Sequence, residues 1–332
     1  MRKVSRLIVS VLVIWAPLCI LGFLPNESLA QKVTLKLGHT QNPGTAIDKA
    51  TLKLAERVAE LSKGTLEIKV FGAMSLGSER EQIEQVQLGG IDLGIFSNDY
   101  LSNVSPTVGV VALPYILRDI EQVHKVWDAP VGKEVKENLL KKGLRSLGTY
   151  DYSFRNTITR TKPIKVLADF KGVKIRVMEN PTVIKTWTLL GSNPVPMPWN
   201  EVYSAMQTKV IDAMEAPPES MVSIKINEVG KYLTMTQHQY TGSHIIMGEK
   251  SWQKLTAEQQ KVLQQAGIEN EKFQREVALN QNKEFLEKLR GGGIEIFEID
   301  KTALQKVVRP VYDDFTKSIG GGNLIDQILA VK

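Results

Sequence analysis

Two arginines are the residues whose type and position best suit chemistry, and that chemistry is the holding of an anion. Arg176 lies in "FKGVKIRVMENP", residues 170–181, where Val173, Ile175 and Val177 alternate with Lys174, Arg176 and Met178. That is the period-two pattern of a strand with one apolar face. Arg176 therefore sits near the end of a strand, opposite the apolar face, just before a Met-Glu-Asn-Pro break. Strand ends in open α/β sheets are where ligand crevices form. The competing reading is a solvated edge strand, because single arginines are usually exposed. Arg155, in "YSFRNT", opens another strand. Tyr100, Tyr152, Phe154, Trp187, Trp199 and Tyr240 fall in or near loops that could flank a crevice, or else pack in the core.

Groups suited to a reaction are sparse. The four histidines, His39, His124, His238 and His244, do not pair at the four-residue helical spacing of a zinc motif, so no metal site is expected. There is no Gly-x-Ser-x-Gly elbow, and the single cysteine, Cys19, lies in the apolar leader. No catalytic residue and no cofactor are assigned. Asp212 and Glu215 could form a carboxylate pair, but a solvated turn and a cap are the simpler roles. The Gly-Gly-Gly runs at 291–293 and 320–322 lack the spacing of a phosphate loop and read as a helix stop and a tail loop.

The elements that must position these groups alternate regularly. Strand patterns cover Val33 to Leu37, Leu66 to Phe71 and Ile91 to Phe96. Between them, Ile47, Ala50, Leu54, Val58 and Leu61 form one helical stripe, and the capping box Ser78-Glu79-Arg80-Glu81 opens a second helix. Further helices are predicted near 119–142, 182–190, 200–208, 218–229 and 302–317, with strands near 144–151, 155–160, 173–178 and 294–298. Thr256 to Leu289 contains no proline and predicts one long helix. Such alternation implies an α/β class with largely parallel strands.

Residues 1–30 have a separate logic. Arg2, Lys3 and Arg6 precede an apolar run from Leu7 to Leu24, and Ser28-Leu29-Ala30 closes it, which reads as a secretory signal cleaved after Ala30. Removing it takes away three positive charges and the negative Glu27, so the formal net charge falls from +6 to +4 over 302 residues. The remaining basic residues are dispersed among acidic ones, with no run of five, so no nucleic-acid stripe is indicated. A cysteine-free exported chain has no disulfide framework.

Five stretches, in order along nearly all of the mature chain, carry a resemblance: "GTLEIKVFGAMSLGSEREQIEQVQLGGIDLGIFS", "LPYILRD", "FKGVKIRV", "LGSNPVPMPWNEVYSAMQTKVIDAMEAP" and "KINEVGKYLTMTQH". Together they resemble the solute-binding proteins of the tripartite ATP-independent periplasmic (TRAP) transporters, of the dicarboxylate-binding type. The resemblance implies a two-lobe periplasmic-binding-protein-like fold with discontinuous domains and a long spanning helix. Lobe I would comprise 31–153 plus about 242–280, and lobe II 154–241 plus about 281–332.

The implied function is capture of an organic acid in the periplasm and its delivery to small and large membrane subunits, by a monomer and without a cofactor. A sensory module presenting the closed form to a receptor, or a periplasmic enzyme, are the rival readings. The resemblance makes Arg176 the arginine that pairs with the ligand carboxylate and Arg155 its supporting arginine. Around them it implies His39, Gln41, Ser97, Met178, Trp199, Glu215 and Tyr240. One departure is visible: the family often has Asp-Gly-x-Glu-Asn-Pro where this chain has Asp212-Ala213-Met214-Glu215-Ala216-Pro217. A methyl group at Ala216 cannot donate the asparagine's hydrogen bond.

Overall fold

The structure, a computed structural model, describes residues 32–332. The signal reading, its cleavage after Ala30 and Cys19 lie outside the described residues. Eleven strands are described: β1 (Val33–Gly38), β2 (Leu66–Phe71), β3 (Leu93–Ser97), β4 (Leu144–Phe154), β5 (Asn156–Thr159), β6 (Lys174–Val177), β7 (Asn193–Pro196), β8 (Ala213–Ala216), β9 (Tyr232–Thr234), β10 (Tyr240–Gly248) and β11 (Glu295–Phe297). They form two sheets, ordered β2-β1-β3-β10-β4 and β11-β9-β5-β8-β6-β7. Each sheet, with its helices, is one lobe of a two-lobe α/β fold.

Both sheets contain parallel pairs, but neither is wholly parallel. β10 runs antiparallel to both its neighbours in the first sheet, and β5 does so in the second. The reason lies in the crossings. Parallel neighbours need a crossover connection of a dozen or more residues. Between β4 and β5 there is only Arg155, so the chain runs straight from one sheet into the other. The return into β10 lies alongside it, with Tyr240 paired to Phe154 and the Arg155 N–H donating to the Gln239 carbonyl at 2.8 Å.

Helix boundaries follow local chemistry. Pro130 divides the span predicted near 119–142 into Ile120–Asp128 and Pro130–Leu140, and Pro310 divides the one near 302–317 into Lys301–Val308 and Pro310–Ser318. Both prolines stand at the first helical position, where no N–H is needed. The Asn-Pro break after β6 is a cap: Asn180 Oδ1 accepts from the N–H groups of Thr182 and Val183, opening helix Pro181–Leu189.

The long helix is Ala257–Gly291, 35 residues, opened by a capping box of Thr256 and Gln259. It packs on helix Ala46–Leu61 and β4 in one lobe and on helix Pro218–Ser223 in the other. Val262, Leu263 and Ala266 join Leu35, Leu37, Leu54 and Ile95 in the first lobe's core, and Phe285 and Leu289 are buried farther along. Between them the buried face turns polar. Asn270 accepts from the Tyr150 hydroxyl, and the Gln274 amide pairs with both the N–H and the carbonyl of Asp151, at 2.7 and 2.6 Å. The helix is thus fastened to β4 by amide hydrogen bonds where the chain approaches the other sheet.

Its closest approach to β4 is at Gly267, where an added Cβ would stand 2.5 Å from the Leu147 carbonyl oxygen. Alanine normally stabilises a helix relative to glycine by about 1 kcal/mol. Here a backbone atom cannot yield, and overpacking of this kind costs about 1–3 kcal/mol. Gly267→Ala is therefore expected to lower the urea midpoint; a raised midpoint would show that the helix can lift from the strand without loss.

Candidate functional site

The strands of both lobes deliver their carboxyl ends to one buried cavity. Thr40 and Gln41 follow β1, Ser97 ends β3, Met178 follows β6, and Ala216 ends β8. Glu79, Tyr100, Tyr152, Arg155, Arg176, Trp199, Pro217, Ser220 and Thr241 complete the lining. The cavity volume is about 50 Å³. A water needs about 10–15 Å³ on this measure, so the space holds roughly four.

The lobes meet around this space. Asn180 Nδ2 donates to the Asp99 carbonyl and to Ser102 Oγ, both at 2.7 Å. The Tyr100 hydroxyl donates to Glu179 at 3.3 Å. From the other side, Asn42 Nδ2 donates to the Ser223 carbonyl at 2.8 Å, and the Ala46 N–H donates to the Glu219 carboxylate at 2.5 Å. Glu219 thereby adds a negative charge at the start of helix Ala46–Leu61, where the helix dipole favours one.

Arg176 is only 1% exposed. β6 is not an edge strand: β7 lies on one side and β8 on the other, so the solvated-edge reading fails. Its Nε and Nη2 both donate to the Met197 carbonyl, at 3.0 and 2.7 Å, and its guanidinium lies 5.4 Å from the Trp199 ring centre. A guanidinium has five N–H groups in one plane. Met197 takes two, on one side. One hydrogen of Nη2 and both of Nη1 remain, which form the end-on fork that fits a carboxylate with two parallel bonds. Among the described residues Arg176 makes no ion pair. Burial lowers its pKa, while Tyr100 and Glu215 act in the opposite direction.

Arg155 is the opposite case. Its Nε and Nη2 grip the two carboxylate oxygens of Glu215, Nη2 also donates to the Glu215 carbonyl at 2.7 Å, and Nη1 donates to Thr241 Oγ1 at 3.0 Å. Glu215 is completely buried in β8, paired with Thr157 of β5, and is no solvated cap. Burial pushes its pKa up, but Arg155 and His238 more than reverse this and hold the carboxylate at about 2. His238 Nε2 stands 3.1 Å from Glu215 and Nδ1 2.9 Å from Thr236 Oγ1. Burial lowers the His238 pKa, and Glu215 counters it. A neutral ring satisfies both contacts, donating to Glu215 and accepting from Thr236. The charge of Arg155 is spent inside the protein.

Of the residues expected at the site, Arg176, Arg155, Gln41, Ser97, Met178 and Trp199 line the cavity, and three do not. Glu215 stands behind Arg155. His39 is turned away, its ring packed over Gly72 and 3.6 Å from Asp48. The Tyr240 hydroxyl donates to Asp151 at 2.5 Å instead. Loop position alone could not separate a lining side chain from one a layer deeper. Sequence reasoning also missed Glu79, which it read only as part of a capping box. The box is real, but its partners are Ser78 and Glu81, and Glu79 is free to reach the Ser97 N–H at 2.5 Å. Asp212, by contrast, is partly exposed, accepting from the Lys174 N–H at 3.2 Å.

A family model for bacterial extracellular solute-binding proteins, family 7 (DctP), matches residues 37–318. The chain belongs to this family. Among its relatives, the C4-dicarboxylate-binding periplasmic protein DctP of Rhodobacter capsulatus is 30% identical over 313 residues, 92% of each chain. A TRAP periplasmic solute-binding protein from a Sulfitobacter species, solved with β-D-galacturonate, is 30% identical and superposes with a TM-score of 0.87 over 90% of this chain and 99% of its own. Another, from Sulfurospirillum deleyianum and solved with succinate, is 31% identical, with a TM-score of 0.86 over 91% and 100%. The family is one of solute receptors, and the two solved relatives are TRAP periplasmic solute-binding proteins.

The partly buried acid in the cavity makes a stability prediction. Burial pushes Glu79 up from 4.5 to about 7, against the Ser97 N–H and the nearby Arg176, and Asp99 adds to the rise. Below pH 4.5 Glu79 is protonated in folded and unfolded chains alike; above about 7 it is ionised in both, and the fold carries the full burial penalty. Its contribution therefore becomes unfavourable as pH rises between these values. Glu79→Gln is expected to match the wild type in thermal unfolding near pH 4 and to exceed it by about 3 kcal/mol above pH 7. A variant no more stable than the wild type above pH 7 would show that the ionised carboxylate is well paired.

Proposed function

We propose that this protein captures an organic acid between its lobes, with the carboxylate on the end-on fork of Arg176, and presents the closed form to the small and large membrane subunits of a TRAP transporter. The observation that carries this reading is the free fork itself: a buried guanidinium held on one side by the Met197 carbonyl and, among the described residues, without a carboxylate partner. Arg155, already neutralised by Glu215, acts as a rigid support that keeps β5, β8 and Thr241 in register at the cavity wall. Ser220 and Thr241 supply hydroxyls to the same cavity lining as Ala216, whose methyl group has none to offer. Lobe I, built on the first sheet, and lobe II, on the second, close on the ligand through the Asn180 and Asn42 contacts.

Truncating one partner of a buried, hydrogen-bonded charge pair costs about 2–5 kcal/mol. Arg176→Ala is accordingly expected to weaken binding of an acid by roughly 30- to several-thousand-fold in calorimetric titration. Arg176→Lys should recover little, because an ammonium keeps the charge and loses the planar fork. Lys174 is exposed at the other end of β6, so Lys174→Ala should bind as the wild type does. Wild-type affinity in the Lys variant would mean that charge alone suffices and the fork has no role.

Function in the periplasm further requires removal of residues 1–30. The protein recovered from the soluble periplasmic fraction should begin at Gln31 by amino-terminal sequencing; an intact Met1 in the membrane fraction would make the leader an anchor.

A further inference from the structure

The cavity's remaining polar groups ask for something that a second carboxylate cannot give. Apart from Arg176 and the neutralised Arg155, the lining presents the carboxyl of Glu79 and the side chain of Gln41. The Gln41 side chain is 7% exposed, and its Oε1 has no hydrogen-bond partner among the described residues. The Gln41 Oε1 and the ionised Glu79 carboxylate are acceptors, while the Gln41 amide nitrogen already donates to Thr40 Oγ1 at 3.3 Å. A buried acceptor left unpaired costs about as much as a lost hydrogen bond, so an occupant that stabilises this cavity must bring O–H or N–H donors. A carboxylate brings none. Beside the acceptors stand Ser97, Ser220, Thr241 and Tyr152, hydroxyls that can donate or accept. The cavity therefore offers one cation and a rim of neutral groups and acceptors.

We propose that the site selects a monocarboxylate bearing hydroxyl groups and rejects dicarboxylates, with Glu79 and Gln41 as the residues that make the choice. This rests on the reading that Arg176 takes the single carboxylate. Glu79 is fixed to the Ser97 N–H at the end of β3, in the lobe opposite Arg176, so an occupant held by Arg176 turns its other end toward this carboxyl. A ligand hydroxyl there donates to Glu79 or to Gln41. A second carboxylate would instead face Glu79, and like charges brought together out of water repel strongly.

The test is a calorimetric panel on the wild type, Arg176→Ala and Glu79→Gln. The panel holds glycerate, pantoate and galacturonate as hydroxylated monocarboxylates, succinate and malate as dicarboxylates, and serine as a monocarboxylate with an ammonium donor. At least one hydroxylated monocarboxylate is expected to bind the wild type at least about 100-fold more tightly than either dicarboxylate and than serine, the discrimination a site built to pair a hydroxyl achieves readily. Glu79→Gln should weaken that acid about 10-fold or more and narrow its advantage over malate, because the like-charge repulsion is gone. The proposal is overturned if succinate, malate or serine binds as tightly as the best hydroxy acid, if no hydroxy acid binds at about 1 mM, or if Glu79→Gln leaves the ratio unchanged. Arg176→Ala separates the two readings. A dicarboxylate that binds best and is lost in Arg176→Ala overturns the selectivity while sparing the carboxylate fork; a tight ligand unaffected by Arg176→Ala overturns the fork itself.

Discussion

A buried guanidinium that makes no ion pair among the described residues is the constraint on which the rest of this structure depends. Taking an isolated charge from water into a protein interior is costly, and proteins ordinarily pair or neutralise such a group. Arginine cannot escape by losing its proton. Here the charge of Arg176 is moderated by the Met197 carbonyl and the face of Trp199, and its outward N–H groups are left for an anion. Closing two lobes over a cavity removes the competing water, which strengthens the contact that an incoming carboxylate makes. In the proposed reading, binding and closure are coupled by this single group.

The second arginine shows why one free cation is sufficient. Arg155 occupies the one-residue crossing between β4 and β5, so its backbone links the two sheets and its side chain belongs to the cavity wall. Left unpaired it would add a second buried charge beside the first. Glu215, His238 and Thr236 form a chain of hydrogen bonds behind it that consumes that charge and fixes the side chain. Such a network adds rigidity because each member is satisfied. The long helix adds the same kind of order at the crossing: Gln274 bonds to both polar groups of the Asp151 peptide, which anchors β4 just before the chain leaves its sheet.

Much of this was legible in the residues. The alternation around Arg176 located the strand and its end, the stripe from Ile47 to Leu61 located the first helix, and the proline-free run from Thr256 located the long one. What could not be read was strand direction and depth. Direction depends on which sheet a strand joins, and nothing local to Tyr240 or Asn156 says that the chain has changed sheets. Strands β7 to β10 were missed because their signals conflict: Pro194 and Pro196 suit only an edge strand, and Ala213–Ala216 is too short to show a period. Depth separates Gln41, which lines the cavity, from His39, which is turned away from it, and both lie in one loop. Glu79 was obscured for a different reason. A first-turn glutamate already has a sufficient role at a helix start, so a second role leaves no trace in spacing.

The most direct test of the central claim is a cycle between protein and ligand. The tightest-binding acid and its primary carboxamide are titrated against the wild type and Arg176→Ala, so that the ligand's charge and the arginine are removed separately and together. If the fork of Arg176 receives the carboxylate, the two changes are strongly non-additive, with a coupling of about 2 kcal/mol or more. Additivity within about 0.5 kcal/mol would place the carboxylate elsewhere in the cavity and contradict the account.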